Sequence, residues 1–181
     1  MSGSIHLLNG STVDPAAVAT TATFLGRAFG RPVAVAPYQP DLERVFDASR
    51  GQYHSSALLK QMLDRLGDHG SAEDKLVALV DVDLFIPVLT FVFGEAQLSG
   101  RCAVVSTFRL QNAFYGIPAD TAMLAQRVEK EIVHEVGHLF GLVHCRAFEC
   151  VMRSSTYVEE IDLKSAGLCG DCAALVKNDH G

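Results

Sequence analysis

The chain has 181 residues, 49% of them hydrophobic and 20% charged. That suits one ordinary domain, able to bury roughly 70% of its unfolded surface, and excludes a disordered chain. Fifteen Lys and Arg against 21 Asp and Glu leave a formal charge of -6 with the bases dispersed, which argues against a general nucleic-acid binder.

In chain order, residues 4–8 (SIHLL) read as a short strand ending at the turn signal Asn9-Gly10. Asp14-Pro15 supplies an N-cap and a first-turn proline for a helix running to about Phe29, stopped by Gly30 and Pro32. Residues 33–37 suggest a second strand and residues 52–66 a second helix. The apolar run LVALVDV suits a third strand, buried on both faces. FVFGEAQL and CAVVSTF, joined at Ser99-Gly100-Arg101, read as a hairpin. A long helix is expected from about Asp120 to Leu142, after which regular structure fades. This order predicts an α/β fold with a mixed sheet and one antiparallel strand at an edge. The longest apolar stretch, near Asp81 to Phe93, is broken by Asp83 and Pro87 and is too short to span a bilayer. The amino terminus has no basic start followed by an apolar run, so a cytoplasmic protein without membrane or nucleic-acid partners is expected.

The long helix carries HEVGHLFGLVH from His134 to His144. His134 and His138 are one helical turn apart, about 40° offset and about 6 Å along the axis, so both imidazoles can reach one ion. Continued helically, His144 would lie about 240° around from His138 and about 9 Å further on, out of range. Gly141 can take the left-handed conformation that ends a helix and turns the chain back. Three neutral imidazoles leave a tetrahedral zinc one open position for water, as a catalytic site needs. Glu135, about 100° around from His134, can lean over that water as general base. Ala125, Ile132, Val136, Leu139 and Val143 form the opposite stripe, expected to pack on the sheet. Arg127, Lys130 and Glu131 share the histidine side, expected to line a cleft.

Of five cysteines, four crowd the last quarter: Cys145, Cys150, Cys169 and Cys172. Two close pairs joined by a longer loop are the usual pattern of a closed structural zinc, against the alternative of free buried thiols. Cys145 follows His144 directly, so a metal held by this knot also fixes the third histidine. Cys102, inside an apolar strand, reads as an inert core residue.

Together HEVGHLFGLVHC, Cys150-Val151-Met152 and Cys169-Gly170-Asp171-Cys172 resemble the archaemetzincins, a metzincin family of zinc peptidases. Further similarity lies in SRGQYHSSALL, DVDLFIPVLTFVFGEA, FRLQNAFYG and RVEKEIVHE, so the resemblance runs roughly from Ser49 to Cys172. It implies a compact metzincin-like domain over residues 1–181, with a twisted mixed sheet, an active-site helix and a zinc-tied C-terminal segment. His134, His138 and His144 would hold a catalytic zinc, Glu135 would be the base, and the four cysteines would hold a second, structural zinc. Met152 would form the turn beneath the metal. FVFGEAQL would be the edge along which a peptide substrate adds as a strand. Ser154 stands where many metzincins carry a tyrosine, so Tyr157 is assigned no role.

Two rivals remain open. One is a two-zinc binding or scaffold protein of the same fold with little or no peptidase activity. The other is a zinc-ribbon-like nucleic-acid module, disfavoured by the acidic balance and by the lack of interleaved basic and aromatic residues near the cysteines.

Overall fold

The computed structural model describes residues 3–66 and 71–178. Strand β1 (Ile5–Gly10) leads to helix α1 (Pro15–Phe29), capped by the Asp14 carboxylate on the Ala16 N–H at 2.8 Å and ended by left-handed Gly30. Strand β2 (Val33–Pro37) follows. A small hairpin, β3 (Phe46–Asp47) and β4 (Gln52–His54), precedes helix α2 (Ser55–Leu66). Then come β5 (Lys75–Val80), β6 (Leu84–Phe85), β7 (Gly94–Ala96) and β8 (Cys102–Ser106). Helix α3 (Thr121–Leu139) is followed by the short α4 (Val158–Leu163) and by α5 (Gly170–Asn178).

The main sheet has the order β2-β1-β5-β8-β7, parallel except for β7, which pairs antiparallel with β8 at the edge. The mixed sheet and its antiparallel edge therefore stand as expected. β5 explains its own apolar run, because a period of two sends alternate residues to opposite faces. Val77 and Leu79, with Ile5, Leu7, Ala103 and Val105, pack under α1 and α3. Leu76, Ala78 and Val80, with Cys102 and Val104, pack against Leu58, Leu59 and Met62 of α2. Each face is covered, so β5 has no polar side to show. Cys102 is fully buried, and burial pushes its thiol up to about 11, as an inert core residue requires.

Several expectations are corrected. The strand at Gly10 continues through the turn signal, because the ladder to β5 pairs Gly10 with Val80. Residues 52–54 are not helix: Tyr53 and His54 pair in parallel with Leu84 and Phe85 in a second, three-stranded sheet, β3-β4-β6. β7 covers only three residues of FVFGEAQL, since the segment before it forms a loop. Two helices, α4 and α5, occupy the region where regular structure was expected to fade. Helix α3 ends at Leu139, which leaves Val143 exposed rather than packed on the sheet. On the polar side of α3, Glu131 lines the cleft as expected and pairs there with Lys164 at 3.2 Å, whereas Arg127 and Lys130 lie under the C-terminal segment, Arg127 holding Asp162 bidentately at 2.7 Å. Burial this complete demands partners, and α4 with its flanks supplies them.

Candidate metal centre

Helix α3 is capped at its start by Asp120, which accepts from the Met123 N–H at 2.9 Å. It ends in a Schellman motif: Gly141 N–H donates to the His138 carbonyl at 3.0 Å and Leu142 N–H to the Gly137 carbonyl at 3.0 Å. Gly141 is left-handed at φ 79°, the conformation the spacing demanded. The bend returns His144 to the two helical histidines, with ring centroids 5.3 Å from His134 and 5.0 Å from His138. One nitrogen from each of the three rings falls within 4.8 Å of the others.

The hydrogen bonds decide which nitrogens face inward. His134 Nδ1 lies 2.8 Å from the Val151 carbonyl and His138 Nδ1 lies 2.7 Å from the Leu142 carbonyl. A carbonyl only accepts, so each Nδ1 carries the proton and each Nε2 presents a lone pair. Those two Nε2 atoms face each other at 3.2 Å. Two acceptors so close are at odds unless a cation lies between them. Ligand distances of about 2.0–2.1 Å at a tetrahedral angle would set them about 3.3 Å apart, so the pair fits zinc. Burial, reinforced by the Lys164 charge, pushes His134 down to about 3, and burial also lowers His138. Both shifts favour the neutral ring, the form that ligates.

Glu135 is buried at the floor of a cleft of about 450 Å³ that also contains the three histidines. Burial raises its carboxyl well above the usual range. Glu131 and Glu95 add to this, and Lys164 opposes it. Gly94 on β7 makes room for it: an ideal Cβ there would lie 2.7 Å from Glu135 Oε1 and 2.8 Å from its Cγ. Beneath the helix, fully buried Met152 sits where a Cβ on Gly137 would collide with its sulfur. The walls of the cleft include Leu89, Phe91, Ser154 and Thr156.

The four cysteines of the C-terminal segment also converge, their sulfurs within 4.8 Å of one another. Cys145 and Cys169 sulfurs are 3.8 Å apart, as are those of Cys150 and Cys172. That is the edge of a tetrahedron with ligands at about 2.3 Å, again a fit to zinc, and far beyond a disulfide bond of about 2.05 Å. The Cys172 N–H draws the Cys169 thiol down to about 7, while burial raises Cys150 and Cys172. The two clusters are joined twice. His144 and Cys145 are neighbours, and Cys145 N–H donates to the Met152 carbonyl at 3.0 Å. The carbonyl of Val151, between Cys150 and Met152, accepts the hydrogen bond from His134 Nδ1–H.

The seven candidate ligands therefore gather in two clusters, and Glu135 shares the cleft with the histidines. Sequence reasoning missed Lys164 and Gly94. No motif marks Lys164, because its meaning comes from Glu131, 33 positions away along the chain. Gly94 was visible only as one residue of a strand.

The profile of Peptidase family M54 matches residues 39–178. An archaemetzincin of Methanocaldococcus jannaschii is 36% identical over 152 residues, covering 82% of this chain and 81% of the relative. Among solved structures, a zinc-dependent peptidase of Methanocorpusculum labreanum aligns with a TM-score of 0.84 at 30% identity, covering 95% of this chain and 99% of the other. The archaemetzincin of Methanopyrus kandleri aligns with a TM-score of 0.82 at 33% identity, covering 99% of this chain and 96% of the other. Family profile, relatives and fold agree, and the chain belongs to Peptidase family M54, the archaemetzincin metallopeptidases.

Proposed function

We propose that the chain hydrolyses peptide bonds at a zinc held by His134, His138 and His144, with Glu135 as general base. A second zinc, held by Cys145, Cys150, Cys169 and Cys172, ties the C-terminal segment to the site. Residues 1–181 act as one peptidase unit, whose ends lie outside the described residues. The observation that carries this reading is the pair of Nε2 lone pairs 3.2 Å apart, each ring fixed from behind by a carbonyl. The ion, when bound, supplies a Lewis acid that polarises the scissile carbonyl and acidifies water. Glu135 takes the proton of the attacking water and returns it to the leaving amine, and its burial makes it a stronger base than an exposed carboxylate. A substrate strand adds to the open edge of β7, beside Gly94 and therefore beside Glu135. Among the described residues no helix is long and apolar enough to cross a membrane; we place the protein in the cytoplasm.

Zinc-loaded protein should cleave members of a peptide library, and a chelator should abolish this. Glu135→Gln should keep both metals and lower kcat by about 10²–10⁴-fold, because an amide cannot accept the proton. A zinc-loaded chain that cleaves no peptide would favour the scaffold reading. Cleavage that survives Glu135→Gln would remove Glu135 as the base.

A further inference from the structure

The loop from Ile86 to Phe93, which walls the cleft, is weakly built in its own right. Among the described residues it makes one backbone hydrogen bond within itself, from Leu89 N–H to the Ile86 carbonyl at 3.1 Å. Val88 is 84% exposed and Leu89 50%. A segment with so few contacts of its own opens cheaply unless something outside holds it.

Backbone bonds tie its far end, Val92 N–H to the Leu84 carbonyl at 2.9 Å and Ser106 N–H to the Phe93 carbonyl at 2.8 Å, and three side chains hold the rest. Arg50 Nη2 donates to the Leu89 carbonyl at 2.8 Å and to the Thr90 carbonyl at 3.2 Å. Gln52, buried on β4, donates to the Thr90 carbonyl and to Asp83, each at 3.0 Å. Arg109 grips Asp83 with both arms of its guanidinium, at 2.6 and 2.7 Å. The same guanidinium lies over the Phe91 ring at 4.2 Å and the Phe114 ring at 4.7 Å. Phe91 itself lines the cleft. None of these three residues lines the cleft with the histidines, yet all act on the loop that does. Arg50 and Gln52 come from SRGQYHSS, Arg109 from FRLQN and its partner Asp83 from DVDLF, segments to which the hydrolytic chemistry gives no task.

We propose that Arg109 is a positioning residue for substrate grip. Its bidentate bond to Asp83 and its stack on Phe91 set the apolar wall formed by Leu89 and Phe91, with Arg50 and Gln52 fixing the carbonyl side of the same loop. The wall selects substrates with a large apolar side chain beside the scissile bond. The proposal rests on the peptidase reading, and it assigns Arg109 to binding rather than to the chemical step. A lysine cannot replace it, since an ammonium has neither the fork for Asp83 nor the plane for Phe91.

The test compares two probes on zinc-loaded protein, acetohydroxamate and a hydroxamate carrying a leucine side chain. Arg109→Ala should bind acetohydroxamate as wild type does and bind the leucyl probe about tenfold more weakly, with KM for apolar peptides rising in parallel and kcat within about twofold. Arg109→Lys should fall between the two. Amides of residues 88–92 should exchange faster with deuterium in both variants, a readout that needs no activity. Arg50→Ala, at an exposed position, should show the same pattern more weakly and carries the test should Arg109→Ala not fold. Unchanged exchange with unchanged affinity for the leucyl probe would overturn the proposal, as would equal loss for both probes. Failure of wild type to cleave peptides would instead strike the peptidase reading and leave the exchange result to decide the role of Arg109.

Discussion

Glu135 shows how much a single residue owes to its neighbours. Its carboxylate needs space on the β7 side, and only a residue without a Cβ leaves it. Gly94→Ala should therefore retain zinc and melt near the wild-type temperature while losing activity roughly 10²-fold, the scale of a displaced reacting group. Activity within a few-fold of wild type would show that the proposed base tolerates the shift. A second residue carries a prediction about pH. Asp74 accepts from Ser4 N–H at 2.8 Å and Ser71 N–H at 2.9 Å, which joins the start of β1 to the start of β5. The Ser4 N–H, followed by that of Ser71 and by nearby His6 and Arg101, holds the Asp74 carboxyl below its ordinary value of 3.8. A lowered carboxyl contributes stability that is complete above the unfolded value and is lost as pH falls through the folded one. Asp74→Asn should thus melt a few degrees lower than wild type at pH 7, and the gap should close below about pH 3.8. Melting curves across pH check this, and a gap that persists at low pH would assign the effect to packing.

At the scale of elements, the C-terminal segment is the working partner of helix α3. Its regular structure is slight, six residues of α4 and nine of α5, yet it buries the polar side of the helix and supplies the carbonyl that orients His134. Cys150 lies at the join, buried, with its sulfur 3.8 Å from Cys172 and Val151 beside it. On the proposed two-zinc reading, losing one of four thiolates releases much of the binding free energy of the structural ion, which in small metal sites is folding free energy. Cys150→Ser should loosen residues 144–172 while the helix through His138 stays intact. Zinc affinity at the histidines and activity should both drop, since His144 loses its anchor and His134 its orienting carbonyl. Hydrogen exchange and metal titration report these separately. Unchanged affinity at the histidine site in a variant lacking the thiolate-bound metal would show the two clusters to be independent.

For the whole molecule, the two clusters predict stoichiometry and order of loss. Purified, zinc-replete protein should hold two ions per chain. A chelator should strip the histidine site first, because three ligands leave an open position and four close the coordination sphere. Removal of the first ion should abolish hydrolysis and change melting little, while removal of the second should lower the melting temperature markedly. Elemental analysis that finds at most one ion, or simultaneous loss of both, would contradict this.

The sequence by itself determined the parts that rest on local rules. Spacing within one helix put His134 and His138 on a common side, and Gly141 announced the bend that brings His144 back, because both follow from helical geometry. Capping residues, an unbroken apolar run and turn chemistry located α1, β5 and the antiparallel edge. Tertiary structure decided the rest. The polar side of α3 reads as a cleft wall along the sequence, and Glu131 is part of one, but Arg127 is covered by Asp162, 35 residues away. QYH reads as the start of a helix until its pairing with Leu84 and Phe85 makes it a strand, since a backbone hydrogen bond to a distant partner outweighs a weak local preference. The side-chain grip on the loop at Ile86–Phe93 comes from two segments, one with Arg50 and Gln52 and one with Arg109, that share no spacing rule, so no pattern in one chain could reveal it. Local order follows from near neighbours in sequence, whereas the orientation of a base, a ligand or a cleft wall is fixed by groups that meet only when the chain is folded.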